Sequence, residues 1–189
     1  LPYVHRYESS TTERDKLLAH CRTKEIDGDA IEAIFLTADT QDDRSVYLVT
    51  ALDINNNFHV LEYGETKFLE LDHDEREVEN QKLKQIASQA GEPFIPVRTL
   101  EDVLQTEYFS KKINGHNIGI KILFGLIDSG GHRTNEVYRF VAKHKNLWNF
   151  KGNGRLSTGD RYKISKERPK LLLAKSKEFQ SDLIYYLYS

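Results

Sequence analysis

Apolar segments of changing period run along this chain, and their spacing predicts its elements. Residues 31–38, Ile-Glu-Ala-Ile-Phe-Leu-Thr-Ala, read as a strand that reaches Asp39. Ser45 to Asp53 and Phe58 to Tyr63 read as two more strands. Thr40–Arg44 and Asn55–Asn57 are turn segments, so these three strands form an antiparallel meander. Glu75 to Ala90 has helical spacing, with Val78, Leu83, Ile86, Ala87 and Ala90 on its apolar side. Asp72 or Asp74 caps it, and Gly91 ends it. Pro93 and Pro96 break the chain. Thr99-Leu-Glu-Asp then opens a second helix, expected to run to about Lys112. Asn114-Gly115 turns into a strand that takes in Ile118 and Ile120 and ends on Asp128. Ser129-Gly-Gly turns the chain tightly. A helix over 133–144 follows, with Val137, Tyr138, Val141 and Ala142 on one face. Leu147–Lys151 and Leu171–Ala174 are short strands, with Trp148 expected in the core. Glu178 to Tyr188 closes the chain as a helix, with Phe179, Leu183, Ile184 and Leu187 inward.

This order predicts an α/β fold: a mixed sheet of three antiparallel strands followed by parallel strands, with flanking helices. Two strands then end on carboxylates, Asp39 and Asp128. In open α/β sheets ligands bind at the carboxyl ends of strands. Taken alone, Asp128 or Ser129 reads as readily as a helix N-cap. The second strand of the same kind, ending at Asp39, favours a site.

Length and composition narrow the classes. The chain has 189 residues, 39% hydrophobic and 30% charged, which fits one folded domain with a proper core. No apolar run approaches the ~20 residues that span a bilayer, so no membrane role is expected. The single cysteine, Cys21, excludes an internal disulfide and suits a reducing compartment. Residues 1–30 are polar and weakly periodic and read as an arm or linker; the chain does not begin with methionine, which suggests a domain excised from a longer protein. Net charge is −2, unevenly spread. Residues 151–177 carry nine Lys or Arg against Asp160 and Glu167, a net +7 on an otherwise acidic chain. Such a basic segment suggests a polyanion partner, or else a solvated loop.

Three acidic positions fall at the ends of core elements: Asp39, Asp128, and either Glu178 or Asp182 on the closing helix. Carboxylates gathered from distant segments repel one another unless a cation joins them. All-oxygen donors select hard ions, Mg²⁺ or Mn²⁺, and no Cys/His pattern supports zinc. Two such ions serve phosphodiester hydrolysis, one at the attacking water and one at the leaving oxygen. The basic segment, with Arg155, Arg161 and Lys163, then holds the nucleic-acid backbone without reading sequence. Lys151, at a strand end, is placed to offset charge on the phosphate. His132 and Arg133, just past Asp128, lie near any bound phosphate. No Gly-x-x-x-x-Gly-Lys-Ser/Thr loop occurs, so ATP hydrolysis by that route is not expected.

Three segments carry a resemblance: Leu36-Thr-Ala-Asp-Thr-Gln-Asp-Asp-Arg, Leu126-Ile-Asp-Ser-Gly-Gly-His-Arg-Thr-Asn-Glu-Val-Tyr, and Phe150-Lys-Gly. Together they resemble the nuclease domain of the large terminase subunit of tailed phages, in its lambda-like branch; the closing Asp182-Leu-Ile-Tyr-Tyr-Leu is similar to that branch's final helix. The resemblance covers roughly residues 31–188. It implies a ribonuclease H-like fold and a two-metal endonuclease that cuts concatemeric viral DNA. It implies Asp39 and Asp128 as the first two metal ligands, with Asp182 or Glu178 as the third, since Ser181 stands where the family tends to have Lys. Ala38 before Asp39 is a mild departure from the family's Gly-Val-Asp. The implied partners are double-stranded DNA, an ATPase domain preceding residues 1–30, the small terminase subunit and the capsid portal. The implied setting is the cytoplasm of an infected bacterial host. Two rival readings keep the same scaffold: another nuclease (a resolvase, transposase or ribonuclease), or a docking module for DNA or portal that does not cut.

Overall fold

The structure, a computed structural model, describes residues 26–113, 115–153 and 161–175. Glu178, Asp182, the closing helix, residues 1–25 of the N-terminal arm, Cys21 and Arg155 therefore lie outside the described residues.

The meander forms as its alternation predicts. Strands β1 (Ile31–Thr40), β2 (Ser45–Asp53) and β3 (Phe58–Thr66) pair antiparallel in sequence. The turn between β2 and β3 is held by one carboxylate: Asp53 Oδ1 accepts the backbone N–H groups of Asn55 and Asn57, and Oδ2 meets His59 Nε2 at 2.8 Å. Those bonds hold the Asp53 carboxyl well below the usual carboxylate range.

Past the meander, β6 (Phe124–Asp128) adds parallel to β1, β7 (Leu147–Gly152) adds parallel to β6, and β9 (Leu171–Ala174) adds parallel to β7. β8 (Tyr162–Ile164) closes the far edge antiparallel to β9. The seven-stranded order is β3-β2-β1-β6-β7-β9-β8. This mixed sheet, antiparallel then parallel, is the α/β ribonuclease H-like arrangement.

The pleat gives the sheet two unlike faces. Ile34, Leu36, Ala38, Val49, Ala51, Ile127 and Leu147 are buried on one. Helix α3 (Thr134–Lys143) lies over β6 and β7 and buries Val137, Phe140 and Val141. Helix α2 (Leu100–Gln105) buries Leu100, Val103 and Leu104. The opposite face presents Val46, Leu48, Val60 and Tyr63, 37–79% exposed, beside Thr37, Leu126, Trp148 and Phe150.

Three expectations need correction. The second helix stops at Gln105 rather than near Lys112: Thr106 leaves the helix in extended backbone, and β4 (Phe109–Ile113) pairs with β5 (His116–Ile120) as a separate hairpin. Ile118 and Ile120 belong to that hairpin, not to the strand that ends at Asp128; Lys121-Ile-Leu separates the two, with Leu123 exposed. Helix α1 (His73–Ala90) forms with the expected Asp72 capping box and Gly91 in left-handed backbone (φ 70°), but it buries none of its residues. Val78 and Ile86 are half exposed or more. α1 fastens through polar groups: Arg76 makes a bidentate pair with Asp102 at 2.9 and 3.1 Å, and Asn80 Oδ1 accepts the Val97 N–H at 2.8 Å.

Candidate active site

Register brings the two strand-end acids together. In the parallel β1–β6 ladder Ala38 pairs with Ile127, so Asp39 and Asp128 are the next residues of adjacent strands. Alternation turns both onto the open face, since Ala38 and Ile127 are buried on the other. Asp39 is exposed and Asp128 half-buried. Both line an open groove of about 550 Å³, with Val46, Leu48, Tyr63 and Phe150 as its apolar walls. Two carboxylates thus sit side by side at the end of an apolar surface. Among the described residues, no ion pair reaches either of them.

The turn after Asp128 does not use its polar groups to cap α3. Asp128 Oδ1 accepts the Gly130 N–H at 2.9 Å. Ser129, 1% exposed, donates both N–H and Oγ–H to the Phe150 carbonyl, at 2.9 and 3.0 Å. The N-cap of α3 is Arg133, with no side-chain cap bond. The capping alternative for Asp128 and Ser129 therefore fails, and one Asp128 oxygen is spoken for only by a local turn. A Cβ on Gly130 would stand 3.2 Å from Asp128 Oδ1, a tight approach that a larger residue could make only if the carboxylate shifted by a few tenths of an ångström.

The β1 and β6 ends are fastened to each other. Thr40 Oγ1 donates to the Asp128 carbonyl at 2.9 Å from a position 6% exposed. A Cβ on Gly131 would meet the Thr40 carbonyl at 3.1 Å, so the two loops touch backbone to backbone. Asp42 Oδ1 lies 2.7 Å from His132 Nδ1.

The remaining expected residues scatter. Lys151 follows Phe150, which aligns with Asp128, but the pleat places it on the opposite face; it is exposed. Arg133 is largely covered and its guanidinium is engaged by Glu136 at 2.8 and 2.5 Å, while Nη1 is buried without a hydrogen-bond partner. That contact, with the field of Asp43, raises the Arg133 pKa. Arg161 and Lys163 are exposed near the β8 edge, three strands from β6 in the sheet order. Trp148, expected in the core, is half-buried on the open face against Phe124, ring centroids 6.3 Å apart.

Among the described residues, no three His, Cys, Asp or Glu side chains gather closely enough to hold a metal. The donors that the structure does bring together, the oxygens of Asp39 and Asp128, are of the hard type that suits Mg²⁺ or Mn²⁺. The Asp42–His132 pair, which links positions 90 residues apart, is the feature that sequence reading missed; only the shared placement of both residues just past strand-end acids pointed towards it.

Compared with known proteins, residues 1–182 match the family model described as terminase large subunit gpA, endonuclease domain. No curated protein and no solved structure matches the chain.

Proposed function

The chain belongs to the endonuclease-domain family of the terminase large subunit gpA, and on that premise we propose that it cuts concatemeric double-stranded DNA by two-metal phosphodiester hydrolysis centred on Asp39 and Asp128. Family membership gives it a nuclease role in DNA packaging, with DNA as the substrate. The observation that carries the finer reading is the alignment of two carboxylates on neighbouring parallel strands, without a cationic partner among the described residues. Asp39 and Asp128 would hold the ions, with Asp182 or Glu178 as the third donor. Mg²⁺ or Mn²⁺, when bound, would supply an activated water and an offset for charge on the leaving oxygen.

The chain's own residues do the rest. Thr40, through the Asp128 carbonyl, and the Gly130 N–H, through the Asp128 carboxylate, hold Asp128 in place beside Asp39. His132, exposed four residues past Asp128, would contact the DNA phosphates, whereas Lys151 lies on the opposite face of the sheet from the pair; Arg133 contributes through its charge while Glu136 holds it. Arg155, Arg161 and Lys163 would track the backbone further along, in a salt-dependent way. In this reading an ATPase domain, the small terminase subunit and the portal supply targeting inside the infected host's cytoplasm.

The test is plasmid cleavage by the chain with Mn²⁺ or Mg²⁺. Asp39→Ala and Asp128→Ala are each expected to abolish it. Cleavage retained in both variants would overturn the reading. A preference for an RNA–DNA hybrid or a four-way junction over duplex would favour another nuclease of the same fold.

A further inference from the structure

Asp42 and His132 form a pair that does little for stability. Their side chains are 74% and 88% exposed, and ion pairs so exposed to water contribute about 0–1 kcal/mol. Yet the bond is short, 2.7 Å, and it joins the loop after β1 to the loop after β6. A carboxylate only accepts, so the ring nitrogen that faces it, Nδ1, carries a proton. With Nδ1 fixed, Nε2 is the ring nitrogen left for another partner. Both residues follow the candidate acids closely: Asp42 is three positions after Asp39, and His132 four after Asp128.

We propose that Asp42 is a positioning residue for His132, holding the imidazole so that Nε2 contacts a DNA phosphate passing the Asp39–Asp128 edge. This rests on the nuclease reading above and adds to it a two-residue device. That contact takes the imidazolium form, in which both nitrogens donate, Nδ1 to Asp42 and Nε2 to a phosphate oxygen; the neutral ring with its proton on Nδ1 has only a lone pair at Nε2 and cannot bond an oxygen that itself only accepts. Arg133 cannot substitute for that contact while Glu136 holds its guanidinium at two points. An acid so near a polyanion would otherwise only repel it; engaged with His132, it orders the imidazole instead.

The test is the dissociation constant of a fluorescent 20-mer duplex, followed by anisotropy at low salt without metal, so that no cleavage is needed. Asp42→Ala and His132→Ala are each expected to raise it about fivefold, the factor for one exposed charge-assisted contact. The double variant is expected to bind no worse than either single one, because both remove the same contact. Asp42→Asn keeps an oxygen to accept the Nδ1 proton and is expected to recover most of the affinity. Melting temperatures are expected to stay with the wild type throughout. Wild-type affinity in Asp42→Ala, additive losses in the double variant, or losses that track a lowered melting temperature would each overturn the proposal. Cleavage by Asp39→Ala, measured separately, bears on the nuclease reading and leaves this outcome distinct.

Discussion

Replacing Thr40 by Val tests whether the tie between β1 and β6 holds the two acids in register. The substitution keeps the shape of a side chain that is 6% exposed and removes only the hydroxyl that donates to the Asp128 carbonyl at 2.9 Å. A hydrogen bond of this kind contributes about 0.5–1.5 kcal/mol net, and a carbonyl left short of a partner adds to the loss. A total of about 1–2 kcal/mol lowers the melting temperature by about 2–8 °C for a domain of this size. The same bond anchors the backbone of Asp128, so the cleavage rate is expected to fall by more than the folded fraction does. Thr40→Ser separates the two effects. It loses a buried methyl, with a similar cost in stability, but keeps the donor and is expected to keep near wild-type cleavage. Melting by circular dichroism and initial rates on supercoiled plasmid with Mn²⁺ give both quantities. If Val and Ser variants lose activity equally, or if Val is indistinguishable from the wild type, the tie does not position the acids.

Three further outcomes follow from the fold. Thr99, fully buried, caps α2 by accepting the Asp102 N–H, so Thr99→Ala is expected to cost about 1–2 kcal/mol by urea unfolding. A Cβ on Gly125 would stand 2.5 Å from Leu147 Cδ2, so Gly125→Ala is expected to cost about 1–3 kcal/mol, and Leu147→Val in that background to recover part of it. Burial, with a 2.6 Å bond to Glu62, pushes the Tyr47 hydroxyl from 10.0 up to about 12. A raised folded-state value favours the protonated, folded form. That stability is therefore complete below pH 10 and lost as pH rises from 10 towards 12. Tyr47→Phe is expected to flatten this part of a stability–pH curve measured by urea unfolding.

The meander and the two strand-end acids were legible because both rest on local signals. Period-2 alternation and the Asn55–Asn57 turn set the three antiparallel strands, and β2 runs over Ser45–Asp53 as expected. Apolar runs that stop on Asp39 and Asp128 placed both acids at one sheet edge. What failed had no local signal. The run from Ile118 to Ile127 has no Pro or turn cluster at Lys121-Ile-Leu, so hairpin and core strand read as one. Helix α1 has helical period and a proper cap, yet nothing in its own residues says that no residue of the apolar side becomes fully buried. In α3, Phe140 rather than Ala142 completes the buried stripe with Val137 and Val141, one position around the helix from the expected face. Capping of α3 by Asp128 or Ser129 was excluded only by partners elsewhere, above all the Phe150 carbonyl. The Asp42–His132 pair depends on two loops meeting, which the parallel register of β1 and β6 decides.

The most direct measurement is anomalous diffraction from crystals of the chain soaked in Mn²⁺. Two manganese peaks are expected at the carboxyl ends of β1 and β6, each within bonding distance of a carboxylate oxygen of Asp39 or Asp128. Peaks at other residues, or none at these two in a chain that still cuts DNA, would contradict the two-metal reading.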